Sequence, residues 1–155
     1  MDLYIERIKD LSDVQINNLV TILNTDTKLR KKLGSDNKIL SSSEFLEFNK
    51  KWAQKNSAEI FSIVVNKEAI GLISLSKIEK GTGKANIGYW ISSNYWYKGY
   101  TTNAFGQMLE FAKKEGIKKV SCSIDKKNND SMAIWKKFNA SFENKRGKIV
   151  PSLYL

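Results

Sequence analysis

The sequence predicts a mixed α/β fold of the α+β kind, a central, mostly antiparallel sheet of about seven strands flanked by helices. Three observations lead there. Apolar residues recur at helical spacing over residues 13–24, 41–56 and 102–114. Short apolar or alternating runs bounded by turn residues occupy 61–65, 70–78, 85–92 and 117–124. The order of the two patterns places an antiparallel meander in the middle and one strand–helix–strand crossover after it.

Residues 3–8, Leu-Tyr-Ile-Glu-Arg-Ile, alternate and suit a first strand. Val14, Ile16, Leu19, Val20, Ile22 and Leu23 then follow a helical period until Thr25-Asp26-Thr27 interrupts it. Ser41 followed by Glu44 is a capping-box pattern, and Phe45, Leu46, Phe48, Trp52 and Ala53 are expected on one face of a helix ending near Asn56. The N-terminal third thus holds a strand and two or three helices. The 61–65 and 70–78 strands join through Asn66-Lys67-Glu68 as a hairpin, and Gly81-Thr82-Gly83 turns the chain into 85–92. A helix over 102–114 shows Ala104, Phe105, Met108, Leu109 and Ala112 on one face and stops at Gly116. A strand over 117–124, a short helix over 131–138 and a closing hairpin of 141–143 with 149–155 complete the chain. No repeat, linker or low-complexity stretch divides it, so residues 1–155 are expected to form a single domain.

Composition excludes much chemistry. One cysteine allows no internal disulfide, and without histidine there is neither a Ser-His-Asp triad nor a Cys/His zinc cluster, so no metal is expected. The first residues carry acids where a secretion signal would be basic and then apolar, and no apolar stretch approaches a membrane span, so a soluble, cytoplasmic protein without membrane contact is expected. The net charge of +10 invites a nucleic-acid reading. However, the basic residues are 23 Lys and only 3 Arg, whereas base readout and bidentate phosphate clamps favour guanidinium, so nucleic acid is not the expected partner. Residues 111–148 nonetheless carry an excess of seven positive charges, which suits a local anionic partner.

Gly81-Thr-Gly-Lys84 superficially resembles the end of a phosphate-binding loop but leads into a strand, and we read it as a β-turn. The segment from Tyr95 to Ala104 is different. It joins a strand to an amphipathic helix through one glycine, Gly99, where free backbone amides and the positive helix end converge on any anion. Lys98 adds charge, and Thr101 and Thr102 add hydroxyls. Asn128-Asn-Asp-Ser131 follows at the end of the next strand and the start of the next helix, where such residues are usually caps. The two motifs together, at this spacing, form a specific joint pattern.

Residues 87–102, Ile-Gly-Tyr-Trp-Ile-Ser-Ser-Asn-Tyr-Trp-Tyr-Lys-Gly-Tyr-Thr-Thr, with Asn128-x-x-Ser131-x-x-Ile134-x-x-Lys137, resemble the GNAT superfamily of acetyl-CoA-dependent N-acetyltransferases in its ribosomal-protein-alanine acetyltransferase (RimJ/RimL-type) branch. The resemblance runs over nearly the whole chain and implies the GNAT fold, with a splayed strand pair. It implies that backbone amides of Tyr97, Lys98, Gly99, Tyr100, Thr101 and Thr102 hold the CoA pyrophosphate. It also implies that the strand end at Trp90, Ile91 and Ser92 pairs with the pantetheine, that Asn128 bonds that arm, and that the strands part after Ile91. The sequence departs from the pattern at Asn86, where relatives often carry a Glu base, and at Trp135, where many carry a Tyr acid. Asn139-Ala140 replaces the usual Gly-Phe, a difference of packing.

Acetyl transfer requires a neutral amine, a stabilised carbonyl oxygen and a protonated leaving thiolate, with no covalent enzyme intermediate. Cys122, alternating with Val120 and Ile124, reads as a core residue. An α-amine, with a pKa of about 7.7–8.0, is usefully neutral near pH 7, whereas a lysine amine at about 10.4 demands a stronger base. Without His or Glu at position 86 the sequence leans towards α-amines. Ser131 is the candidate acid, with a helix cap as its equal alternative, and Asp125 the candidate base, against a solvated turn acid. Tyr89, Trp90, Tyr95, Trp96 and Tyr97 cluster around the loop. The expected acceptor is an α-amine of an acidic protein or peptide, and the protein is expected to be a monomer or homodimer. A small-molecule amine, a catalytically silent acetyl-CoA sensor and a phosphate- or RNA-binding module are the competing readings.

Overall fold

The computed structural model describes residues 2–35 and 39–155. Strand β1 (Leu3–Arg7) leads through a 3-10 turn into three helices, α1 (Asp13–Thr25), α2 (Thr27–Leu33) and α3 (Ser42–Lys55). The meander β2 (Glu59–Val65), β3 (Glu68–Glu79) and β4 (Lys84–Ile91) follows, then α4 (Tyr100–Lys114), β5 (Lys119–Ser121), β6 (Ile124–Asp125), α5 (Asn129–Lys137) and the hairpin β7 (Ser141–Lys145) and β8 (Lys148–Tyr154). Local chemistry sets the helix starts. Ser12 with Gln15 and Ser41 with Glu44 form capping boxes, and Asp26 ends α1 while accepting from the Leu29 amide to cap α2.

The strands form one sheet in the order β1-β2-β3-β4-β5-β8. All neighbours are antiparallel except β4 and β5, the parallel pair created by the α4 crossover. β5 and β6 bond successive stretches of β8 and are one strand line broken at residues 122–123, while β7 takes the opposite edge of β8. The sequence predicts this line as a continuous strand, and Pro151 accounts for the break. Extending the Ser121↔Ser152 and Ile124↔Ile149 register places Pro151 opposite Cys122, where a proline has no N–H to give the ladder. The Ser121 hydroxyl instead donates to the Pro151 carbonyl at 2.6 Å.

Each sheet face carries its own core. On one, α4 buries Ala104, Phe105, Met108, Leu109 and Ala112 against Ile73, Leu75, Ala85 and Ile87. Phe105 sits at the centre, with ring centroids 4.9 Å from Trp135 and 5.0 Å from Phe138. On the other, Ile16, Leu19 and Val20 of α1 and Phe45 of α3 pack on Ala69 and Leu72. The apolar stripe of α3 is narrower than predicted. At 3.6 residues per turn Phe48 lies about 60° from Phe45 around the axis, and it is 63% exposed, as Leu46 is 41% exposed. Gly71 has a steric reason: a Cβ there would stand 2.3 Å from the Trp90 carbonyl oxygen of the paired strand.

Candidate active-site cleft

The parallel pair is short. β4 and β5 align over only Lys84–Lys119, Ala85–Val120 and Asn86–Ser121. Beyond Asn86, β4 continues to Ile91 along β3, while the strand it leaves resumes as β6 and bonds only β8. The strands therefore part after Asn86, five residues earlier than the expected Ile91. A cleft of about 710 Å³ opens there, lined from one sheet face by Tyr89, Thr101 and Ser131 and from the other by Trp52, Ser74 and Asn86.

The exposed edge of β4 can be oriented. The Ser92 amide donates to the Ile70 carbonyl at 2.8 Å, so the alternation of an antiparallel pair turns the backbone groups of Trp90 and Ser92 towards β3. Those of Ile87, Tyr89 and Ile91 point into the gap, where the Ile91 carbonyl accepts the indole N–H of Trp96 at 2.9 Å. Of the expected pairing residues Trp90, Ile91 and Ser92, only Ile91 turns its amide to the gap. Tyr89, which sequence reasoning did not select for pairing, and the Ile87 carbonyl supply the other free groups, the Ile87 amide being taken up in the Asn86–Ser121 pair.

At the end of this edge the chain enters α4 through two residues at positive φ, Tyr97 (61°) and Gly99 (81°). Gly99 is the N-cap without a side-chain cap, and the first intrahelical bond runs from Asn103 N to its carbonyl, so the amides of Tyr100, Thr101 and Thr102 have no helical acceptor. A Cβ on Gly99 would meet no atom within 4 Å, which leaves open space in front of those amides. The helix begins two residues earlier than predicted, bringing Tyr100 and Thr101 into its first turn. The Lys98 ammonium lies 5.8 Å from the Tyr95 ring, and the Tyr95 hydroxyl donates to Glu68 at 3.1 Å, anchoring the loop to β3. An anion at this helix end would meet free N–H groups and the positive helix dipole.

Ser131 lies in the first turn of α5 and is not its N-cap. Asn128 caps α5, its side-chain oxygen accepting from the Ser131 amide at 3.1 Å. The Ser131 hydroxyl is left to bond the Tyr89 hydroxyl at 2.7 Å, inside the cleft. Burial pushes the Tyr89 phenol up to about 12, against a smaller opposing effect of the Ser131 bond. Nothing local in the sequence signals this pair, 42 residues apart. Burial also pushes the Cys122 thiol up to about 12, with the Trp135 indole lowering it slightly, so Cys122 is protonated and inert at neutral pH although it lines the cleft. Trp135 is fully buried under Phe105 and does not line the cleft. Asp125, the candidate base, is exposed on the rim. One of its oxygens accepts the Lys127 amide at 2.9 Å and the other lies 3.5 Å from Lys148, and these hold its carboxyl below the ordinary range, making it a weak proton acceptor.

Helix α2 ties the two lips of the cleft together. The Asp26 carboxylate accepts from both the amide and the hydroxyl of Ser93 at 2.7 Å, and although burial disfavours its charge, the bonds from Ser93 and Leu29 lower its pKa. At the other end Lys32 lies 5.0 Å from the Trp96 ring and 3.9 Å from Asp130, which also accepts from the Tyr97 hydroxyl at 3.2 Å. Among the described residues, no group of three or more His, Cys, Asp or Glu could hold a metal, and no helix is long and apolar enough to cross a membrane.

Comparison with known proteins places these features in a wider context. Residues 7–141 match the family described as the acetyltransferase (GNAT) domain. The ribosomal-protein-serine acetyltransferase of Escherichia coli (strain K12) is 26% identical over 84 residues, 52% of this chain and 47% of that protein. The chain thus spans about half the length of the curated relatives it matches. Among solved structures, the microcin C7 self-immunity acetyltransferase MccE, in complex with acetyl-CoA and AMP, superposes with a TM-score of 0.80 at 18% identity, covering 99% of this chain and 93% of that one. Spermidine N-acetyltransferase from Vibrio cholerae, in complex with CoA and spermine, gives 0.74 at 16% identity, covering 99% and 94%.

Proposed function

The chain belongs to the GNAT acetyltransferase family, and on that premise we propose that it transfers the acetyl group of acetyl-CoA to a primary amine, the α-amine of a protein or peptide. The observation that carries this reading is the cleft through the sheet, with a helix end of free amides on one side and, among the described residues, an open arm without carboxylates on the other. The residues fit the cosubstrate. Free amides over residues 97–102, with Lys98, Thr101 and Thr102, receive the pyrophosphate. The backbone of Ile87, Tyr89 and Ile91 offers an extended edge to an amide-bearing arm, and Asn128 keeps its side-chain N–H groups for the same arm while its oxygen caps α5.

Acetyl-CoA bound there supplies an activated thioester. The chain's part is to place an amine across the β4 edge and to settle two protons. Ser131 donates towards the departing sulfur, Tyr89, bonded to it at 2.7 Å, returns a proton to that hydroxyl, and solvent in the cleft reprotonates Tyr89. A thiol of pKa about 8.5 leaves without a strong acid, so hydroxyls suffice. The Lys127 amide and Lys148 lower the proton affinity of the Asp125 carboxylate, so solvent in the open cleft takes the amine proton. That route serves an α-amine far better than an alkylamine: at pH 7.5 about a third of the former and about one part in a thousand of the latter is neutral.

The test has two parts. Acetyl-CoA at about 100 times its dissociation constant should add roughly 2.7 kcal/mol, a melting shift of about 5–10 °C. Thiol release should then be seen with a peptide bearing a free N-terminus and not with its N-acetylated twin. Binding without release from any α-amine peptide would overturn the substrate assignment, and no shift would overturn the cosubstrate.

A further inference from the structure

The cleft continues past β4 onto the α1–α3 face of the sheet. The two-residue period of paired strands puts Ser74 beside Gly88 and Ser76 beside Asn86 on that face, and these four form the floor. Leu33, Trp52 and Trp90 form the walls. Gly88 is not demanded by packing, since a Cβ there would lie 3.6 Å from the Ser74 hydroxyl, an ordinary contact, so its absence leaves the floor open to a ligand. Trp52 is half-buried, and Leu33, at the end of α2, is 46% exposed.

Charge is distributed unevenly around this arm. Among the described residues lining the whole cleft, the carboxylates are Asp125 and Asp130, and neither is on the floor or walls of the arm. Both are engaged with lysines, Asp125 with Lys148 and Asp130 with Lys32. Among the described residues a polycationic acceptor entering the arm would find no counter-charge, while hydroxyl and amide groups meet peptide groups and the indoles meet an apolar side chain.

Resting on the reading of the acceptor as an α-amine, we infer that this arm is a side-chain-reading subsite that selects N-termini whose first residue is uncharged and apolar, with Trp52 and Leu33 enclosing that side chain. Lys32, at the outer rim, then faces the residues that follow, where acids are tolerated.

The experiment measures kcat/KM on otherwise identical peptides beginning with Gly, Leu, Asp or Lys, and on spermidine, with the native protein and with Trp52→Ala, Leu33→Ala and Ser76→Asp. The native protein should prefer Leu-first over Gly-first and over Asp- or Lys-first by about tenfold or more, the scale on which an apolar pocket discriminates. Trp52→Ala and Leu33→Ala should each shrink the Leu-to-Gly ratio several-fold while the acetyl-CoA melting shift persists, which separates loss of the subsite from loss of the fold. Ser76→Asp, which places a carboxylate on the floor, should raise the spermidine rate relative to the peptides. Equal rates for all first residues, or variants that scale every peptide alike, would overturn the subsite while leaving the α-amine assignment standing. Spermidine preferred by the native protein, with no α-amine turned over, would overturn both.

Discussion

Tyr89→Phe removes one oxygen from the cleft and changes little else. The ring keeps its edge contact with Phe105 at 6.2 Å, and the Ser131 hydroxyl loses its partner at 2.7 Å. One partly buried hydrogen bond contributes about 1 kcal/mol, so the melting temperature should fall by only about 2–4 °C. The effect on turnover should be larger. Positioned proton donors contribute about 10²–10⁴-fold, and a good leaving thiolate places this case at the low end or below, so kcat should fall roughly ten- to a hundredfold at saturating acetyl-CoA. Because Tyr89 acts through Ser131, Ser131→Ala should cost a similar factor and the double variant little more than either single one. The assay is thiol release against pH from 6.5 to 9.5 for the four proteins. Additive losses would show that the two hydroxyls act separately, and an unchanged kcat in Tyr89→Phe beside a reduced one in Ser131→Ala would remove Tyr89 from the proton path.

Two further outcomes follow from the same geometry. Gly99→Ala meets no steric obstacle but must hold φ near 81°, so it should cost about 1–2 kcal/mol of stability and reduce the melting shift given by acetyl-CoA, measured by titrating the ligand against thermal unfolding. Stability should also fall at alkaline pH. Tyr89 and Cys122 both have raised folded values near 12, so the unfolded chain releases their protons first, and stability fully present below pH 9 is lost as pH rises towards 12. Cys122 alone accounts for about 4 kcal/mol over three pH units. Denaturant midpoints from pH 8 to 11 should therefore decline for the native protein and less steeply for Cys122→Ala.

The parts of the fold written locally were readable in the sequence. Ser41 with Glu44 caps its helix as predicted, and 61–92 forms the expected meander because its turns and periods are short-range signals. The glycine-led start of α4 was legible for the same reason, since one glycine between a strand and an apolar stripe has few other solutions. The rest depends on register and distance. The lone proline is visible in the sequence, but only the pairing of β8 with β5 and β6 shows that it stands opposite Cys122. The sequence does not show which partners Ser131 takes, because its amide goes to Asn128 and its hydroxyl to a tyrosine 42 residues away. The helical period puts Trp52 with the core residues of α3, and only the folded arrangement shows it lining the cleft.

Parting two strands in the middle of a sheet exposes backbone groups that normally pair, each at a cost comparable to a lost hydrogen bond if it is also dry. The structure limits that cost in two ways. Trp96 turns its indole N–H onto the Ile91 carbonyl, and the cleft itself is wide enough to leave the Tyr89 groups and the Ile87 carbonyl in contact with water. Water is a replaceable partner. An extended ligand carrying amides of its own can take its place along β4 as an added strand, regaining the ladder that the early departure of β5 leaves unmade. The same gap opens the passage from the α4 face, where the helix amides gather, to the α1–α3 face, where Trp52 and Asn86 wait. In the proposed reading, one interruption of the sheet thereby serves both the cosubstrate and the acceptor. A substitution that let β5 continue alongside β4 would be expected to strengthen the sheet and close the site together.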